Sequence, residues 1–421
     1  MCEAMDETPR PAGMILFLNA LALGVVAPLL YYIIVVPDAI WIGRLFVVFS
    51  LGRILGGPLL RTLQQNLGMK QTLVLSQLVA SLSYALLCTA GHFQPSPDSV
   101  FGVVLLSCFF IALTAGNFPS VRLIFQPAIP EAGTAMPGLI TMLGFAVGCA
   151  LAILGNTTRV PDNSSIFPGG GLHRSAEYAA AVSCIALVAA LRWHAPAKGL
   201  DGNWLRFPRV TSRSAIAMLT TLLCEAAFGM TVCVAPLMQW ETYHFSPAKA
   251  AIVLGGAALI SQSVRSVVQS RVQAQSTAPL ILMIMGMLFS MLGFAGFTVS
   301  LWLSWLSHPV DGMKVGYWLV WFSGIPAAAG HGLLRAALPS ILTLSGKPSR
   351  YPHAAVRFDQ LATIVSGVFA LYASSIWLAR ERSSFAIPCV VMALALPLGV
   401  FSWVIRPRSA EPIPQAEECP R

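Results

Sequence analysis

The 421-residue chain is 56% hydrophobic and only 10% charged, whereas a soluble domain carries about 25% charge. That composition excludes an ordinary soluble enzyme or binding module and describes a protein built for lipid. The formal net charge of +9 is not gathered on a basic, aromatic face, which argues against a nucleic-acid partner and assigns the excess to loops on one side of a membrane.

Twelve apolar segments follow one another, at residues 14–36, 40–60, 71–90, 99–125, 132–154, 178–193, 214–239, 247–268, 277–303, 315–344, 354–379 and 385–405. Most hold the roughly 20 apolar residues that a bilayer crossing needs, and 178–193 is the short one. Helix is the state expected for all of them, because unpaired peptide groups cannot face lipid and the alternation of a membrane barrel is absent. Glu3, Asp6 and Glu7 precede the first segment. It therefore reads as a retained signal-anchor helix rather than a cleaved secretory leader. The nine cysteines are scattered, seven of them in apolar runs, without a CxxC pair or a Cys/His spacing that suits zinc, so those seven read as small buried hydrophobes and no metal is expected.

Residues 49–75 carry the most informative local pattern. Gly52, Gly56 and Gly57 leave one helix face nearly bare, so a neighbour can approach closely. Arg53 lies within the apolar part, where a charge is costly unless it faces protein or water. A polar link carrying Arg61 and Lys70 is expected between the second and third helices. Gly57-Pro58-Leu59, Gly68 and Lys70 make this stretch resemble the link between the second and third helices of the major facilitator superfamily. The segment FSLGRILGGPLL, with Ser83 to Leu87 in the next helix, is similar to the branch of that superfamily with the lysosomal ceroid-lipofuscinosis transporter-like proteins. The resemblance implies an all-α membrane protein, twelve transmembrane helices in two six-helix pseudo-symmetric bundles. Three departures stand out: Leu60 or Arg61 replaces the aspartate of the link, Cys108 replaces an arginine of the fourth helix, and Asn19 replaces an acidic residue of the first.

The chain divides on its own composition in the same way. A basic, proline-containing linker at 194–213 separates an N-terminal unit, 1–193, from a C-terminal one, 214–405, and a tail follows at 406–421. Val26-Ala27-Pro28-Leu29 recurs as Val234-Ala235-Pro236-Leu237 about half a chain later, and repeated halves around a central site mark secondary transporters. Lys and Arg concentrate in the links on the side of the two termini, which places both in the cytoplasm. Two glycosylation triplets, at Asn156 and Asn163, fall in a link on the opposite side. The membrane is expected to be the plasma membrane or a lysosome- or vacuole-like one.

Ionisable residues within the spans are the candidate functional groups. Glu225 is the one acid read near mid-depth, as a proton carrier or a structural ion-pair partner. Arg53 reads as its partner or as an anchor for an anionic solute. His331 reads as a proton relay or a packing histidine, and Asn19 and Asn117 as polar groups for solute or for neighbouring helices. Arg122, Arg265, Arg335, Arg357 and Asp359 are expected near the cytoplasmic ends of their spans as gate ion pairs.

No Walker loop, HExxH or GxSxG elbow occurs, so neither an ATP-driven pump nor an enzyme is expected, and no cofactor. The leading expectation is a monomeric secondary active or facilitative transporter of a small organic solute, anionic or zwitterionic, working by alternating access and coupled to protons through Glu225. A channel-like anion conductance in the same fold, or a receptor or scaffold that no longer transports, are the other classes.

Overall fold

The computed structural model describes residues 9–35, 40–90, 97–115, 135–156, 171–193, 212–243, 245–272, 278–306, 311–343, 351–378 and 386–404. These form twelve helices: α1 (Pro9–Val35), α2 (Ile40–Leu67), α3 (Met69–Ala90), α4 (Pro97–Ala115), α5 (Ala135–Asn156), α6 (Gly171–Arg192), α7 (Ser212–Glu241), α8 (Pro247–Val272), α9 (Ala278–Leu306), α10 (Asp311–Thr343), α11 (Tyr351–Leu378) and α12 (Ala386–Val404). The shortest have 19 residues and the longest 33. At 1.5 Å rise per residue even the shortest measures about 28 Å, close to the roughly 30 Å hydrocarbon core of a bilayer. Leu292, Leu394 and Phe322 are among the large apolar side chains left exposed on the outer surface, where lipid takes the place of water. The chain is a multi-pass integral membrane protein.

The helices sort into two bundles of six. In the first, α1 packs on α5 and α6, α2 on α4, and α3 on α4 and α6. In the second, α7 packs on α11 and α12, α8 on α10, and α9 on α10 and α12. Each pairing in the first bundle reappears six helices later, which is the relation a pseudo-twofold axis produces. The two main contacts between the bundles are α2 with α11 and α5 with α8, beside smaller ones of α1 with α8 and α2 with α7, and the same axis exchanges the members of each pair.

Close backbone approach carries these pairings. Gly144 and Gly148 are one turn apart on α5 and rest on the carbonyl oxygens of Phe17 and Leu21 of α1, while Gly24 of α1 rests on Phe145 O. A side chain at any of the three would drive the helices apart. Gly52 and Gly56 seat α2 on Phe109 and Leu113 of α4 in the same manner, and Gly229 seats α7 on Ser366 of α11. Between the bundles, Gly43 meets Ser374 and Leu371, and Gly367 meets Ser50. Polar contacts add to these. Ser81 Oγ donates to Ser183 Oγ at 3.0 Å between α3 and α6. Tyr243 Oη donates to Ser300 O at 2.8 Å while Ser300 Oγ donates to Gly316 O at 2.7 Å, which ties the end of α7 to α9 and α10.

Two boundaries depart from the sequence expectation. The polar link between the second and third helices is itself helical: α2 runs on to Leu67 and α3 begins at Met69. Leu and Gln between 62 and 67 are good helix formers, and only Gly68, at φ 86°, breaks the run, with its N–H donating to Gln64 O at 3.0 Å. The short sixth span is likewise lengthened, since α6 begins at Gly171. Residues 116–134, residues 194–211 of the linker and the tail lie outside the described residues, and the last two positions of the linker, 212 and 213, already belong to α7.

Replacing Gly148 by leucine is expected to lower the thermal unfolding midpoint of the detergent-solubilised protein by an overpacking cost of about 1–3 kcal/mol or more. Gly102→Ala, on α4 where an added Cβ meets nothing, is expected to leave the midpoint unchanged or slightly raised.

Candidate functional site

A cavity of about 400 Å³ lies where the two bundles face each other, within the 300–1,000 Å³ typical of small-molecule sites. The first bundle contributes Pro28 of α1, Phe46 of α2 and Met142 of α5. The second contributes most of the wall: α7 from Glu225 to Gln239, α8 from Ala250 to Ser261, α10 from Gly324 to Arg335, with Phe297 of α9 and Ser366 of α11. Because α7 runs antiparallel to α8 and α10, Glu225, Ser261, His331 and Arg335 all fall at one end of this cavity. Gln239, Ala250 and Gly324 fall at the other.

The polar end is an ion-pair cluster. Arg335 Nε donates to Glu225 Oε1 at 2.8 Å, and His331 Nε2 stands 3.6 Å from the same oxygen. His331 and Arg335 are one turn apart on α10, so one helix face presents both to α7. Ser261 Oγ is 3.0 Å from His331 Nδ1. A proton on Nε2, facing the carboxylate, leaves Nδ1 to accept from the Ser261 hydroxyl. Phe228, one turn from Glu225, holds its ring 4.5 Å from the imidazole and 5.2 Å from Phe294, so the imidazole is gripped on one side by an aromatic pair. The Glu225 side chain is 7% exposed against 19% for Arg335 and 29% for His331. The carboxylate is therefore the most buried member, and the imidazole is the most exposed of the three.

Two opposite charges taken out of water are tolerated when the pair is close and hydrogen-bonded, and removing one partner leaves the other stranded. Away from this cluster the wall is apolar, interrupted by Thr231, Gln239 and Ser366. Among the described residues no group of three His, Cys, Asp or Glu side chains gathers to hold a metal.

A second cavity, of about 150 Å³, opens within the first bundle. Leu23, Val26, Ala27 and Leu30 of α1, Phe49 of α2, and Ile111 of α4 line it with Tyr84 and Cys108. Phe46 borders both cavities.

The structure thus brings together three residues that the sequence placed in two different roles. Glu225 and His331 were expected at the solute or coupling site, and Arg335 at a cytoplasmic gate; all three line one cavity. The partner at hydrogen-bonding distance from Glu225 is Arg335, whereas Arg53 had been a candidate. Arg53 and Arg265 are half-buried on α2 and α8 and line neither of these two cavities. Asn19 is buried in α1, about one turn from Leu23, and also lines neither. Asn117, Arg122 and Asn163 lie outside the described residues, as do the side chains of Asn156, Arg357 and Asp359. Ser261, Phe228 and Phe46 carry no sequence signal that separates them from ordinary packing residues; only their neighbours in space single them out.

The class of protein that this architecture defines is the major facilitator fold: twelve helices, two pseudo-symmetric bundles and a cavity between them. The human organic anion transporter MFSD10 (TETRAN) matches it with a TM-score of 0.61 and 16% identity, over 94% of this chain and 99% of that one. The nucleoside transporter NupG matches at 0.64 and 14% identity, over 94% and 98%. The xylose transporter XylE from E. coli, in a partially occluded inward open conformation, matches at 0.66 and 11% identity, over 95% and 96%. No protein-family model matches the sequence, and no curated protein matches it either. At these identities the likeness is one of fold.

Glu225→Gln and Arg335→Gln are each expected to lower stability by about 3 kcal/mol, because each removes one half of a close buried ion pair. The double variant should lose much less than the sum, and thermal unfolding of the four proteins in one detergent gives this coupling.

Proposed function

We propose that this protein carries a small organic anion or zwitterion across its membrane by alternating access, with Glu225 taking up and releasing a proton as the cavity turns from one side to the other. The observation that supports this reading is the Glu225–Arg335 pair, buried at the end of a solute-sized cavity between the two bundles. A charge pair whose sole purpose was packing would have no need of a cavity beside it.

The chemistry follows from what each group can do. An arginine stays protonated throughout, whereas a carboxylate can be neutralised. With Glu225 ionised, Arg335 is satisfied and the cavity lining is close to neutral. With Glu225 protonated, the charge that Arg335 Nε meets at 2.8 Å is gone, and an anionic group of an incoming solute can take its place beside the cavity. Proton and solute then favour each other's binding, and neither need cross alone. His331, at 3.6 Å from the carboxylate and the more exposed of the two, is the relay between Glu225 and cavity water. From the elements packed on α7, the described ionisable side chains also include Arg44, Arg53 and Arg61 of α2, Lys314 and Tyr317 of α10, Tyr372 of α11 and Cys389 of α12. None of these borders this cavity.

The pseudo-twofold arrangement supports the movement. Two bundles joined chiefly through α2–α11 and α5–α8 can rock about those seams while each keeps its own glycine-seated contacts. The basic links on the side of the termini support a cytoplasmic location for both ends.

The test is flux in proteoliposomes holding the full chain, with a panel of labelled amino acids, carboxylates and sulfonates. An inward proton gradient is expected to drive accumulation of one class, up to about tenfold per pH unit at one proton per solute. Glu225→Gln should abolish that accumulation while keeping exchange of labelled for unlabelled solute. Intact pH-driven accumulation in that variant would overturn the role of Glu225.

A further inference from the structure

Building on the transporter reading, we propose that the main cavity has a second anion station at the end remote from Arg335. The Gln239 amide and the Lys249 ammonium form it, and it takes the carboxylate or sulfonate of a solute before that group reaches the ion pair. Gln239 lines the cavity two residues before the end of α7 and is only 4% exposed. A buried amide that faces a cavity can donate to, and accept from, whatever fills that space.

The chain after α7 folds back over this end. Phe245 N–H donates to Gln239 O at 2.9 Å. That turn lays the Phe245 ring against Tyr317 and Trp321 of α10, at 5.1 and 5.5 Å between centroids. Tyr317, Trp321 and Gly324 follow at helical spacing along one face of α10, the face that continues to His331 and Arg335. The aromatic collar therefore stands directly beyond the lining at Gly324. Lys249 immediately precedes Ala250 of the lining, and its Nζ lies 5.2 Å from the Tyr317 ring and 5.9 Å from that of Phe245. Ring faces attract an ammonium without taking up all three of its N–H donors. A donor turned from the rings can serve an anionic oxygen.

This station is separate from the ion pair. From Glu225 to Gln239 α7 rises about 21 Å, which a single amino acid or short carboxylate cannot span. Such a solute meets the two ends in succession. Gln239 lies at the far end of α7 from its start at Ser212, so it belongs to the side of the membrane opposite both termini. A solute from that side meets it first, and a cation at the rim raises the local concentration of anions there.

Gly324→Cys tests this, because an added Cβ there meets nothing within 4 Å. The full chain, its native cysteines replaced by serine or alanine, is placed in proteoliposomes at low salt. The thiol is treated from either side with anionic sulfonatoethyl or cationic trimethylammonioethyl methanethiosulfonate. Scaled by their rates with a small free thiol, the anionic reagent should react about fivefold faster, the effect of one unit charge at about 8 Å in water on ions of opposite sign. Lys249→Gln should remove that preference, and Lys249→Arg should keep it. Methanesulfonate should slow the labelling and tetramethylammonium should not. Gln239→Leu should lose this protection, and Gln239→Asn should retain part of it. For the solute carried in the flux panel, Lys249→Gln and Gln239→Leu should raise the half-saturating concentration from this side about tenfold, the loss of one charge-assisted hydrogen bond, with the maximal rate little changed. A thiol inert from both sides, equal scaled rates for the two reagents, or equal protection by the two ions would each overturn the station. Flux whose half-saturation these variants leave untouched would overturn it as well, while the transporter reading stands. If no solute of the panel moves and the labelling results hold, the transporter reading fails and the anion site remains.

Discussion

A charge inside a membrane must be answered by protein, water or cargo, and the Glu225–Arg335 pair is where this structure meets that constraint. Neither residue is tolerable alone at that depth. Together, at 2.8 Å, they neutralise each other well enough to remain buried, and the space beside them keeps the arrangement open to change. His331 and Ser261 hold the pair's flank, Phe228 holds His331, and Phe294 backs Phe228. Four helices of the second bundle, α7, α8, α9 and α10, thus meet around one carboxylate. Among the described residues, the chargeable side chains of the main cavity come from the second bundle, and the first bundle contributes Pro28, Phe46 and Met142.

That asymmetry rests on a symmetric scaffold. Helix pairs repeat six positions apart, and the seams between bundles are exchanged by the same axis. The seating is done by backbone against backbone, at Gly144 and Gly148 on α1, at Gly52 and Gly56 on α4, and at Gly229 on α11. In lipid there is no water to expel between helices, so close van der Waals contact has to hold them. Rigid bundles of that kind can tilt as units, and a cleft at their meeting face is what tilting would expose in turn.

Much of this was legible before the fold was known. Twelve apolar segments, the break at 194–213 and the repeated Val-Ala-Pro-Leu tetrapeptide gave the helix count and the doubling, because hydrocarbon imposes length and composition directly. Glu225 stood out because a lone acid in an apolar run is costly. Its partner was not legible. Arg335 belongs to α10, a helix of 33 residues, which overshoots the roughly 20 that a bilayer needs; depth measured from the ends of so long a helix is ambiguous, and Arg335 read as a gate residue near the surface. The link after α2 was misjudged for a related reason: polarity marks where a helix leaves lipid, and the helix itself continued to Gly68, where a positive φ ended it. Phe46 and Ser261 were invisible because their importance is purely one of position.

The most direct measurement asks whether water and solute reach the space beside the ion pair. Thr231→Cys, placed on the cavity wall of a chain whose native cysteines are replaced by serine or alanine, is exposed in proteoliposomes to a membrane-impermeant thiol reagent. Labelling that is slowed by the solute class carried in the flux panel is the expected result. A thiol that stays inert from both sides of the membrane, in a protein that remains folded, would mean that the pair is sealed within packing and that nothing is carried past it.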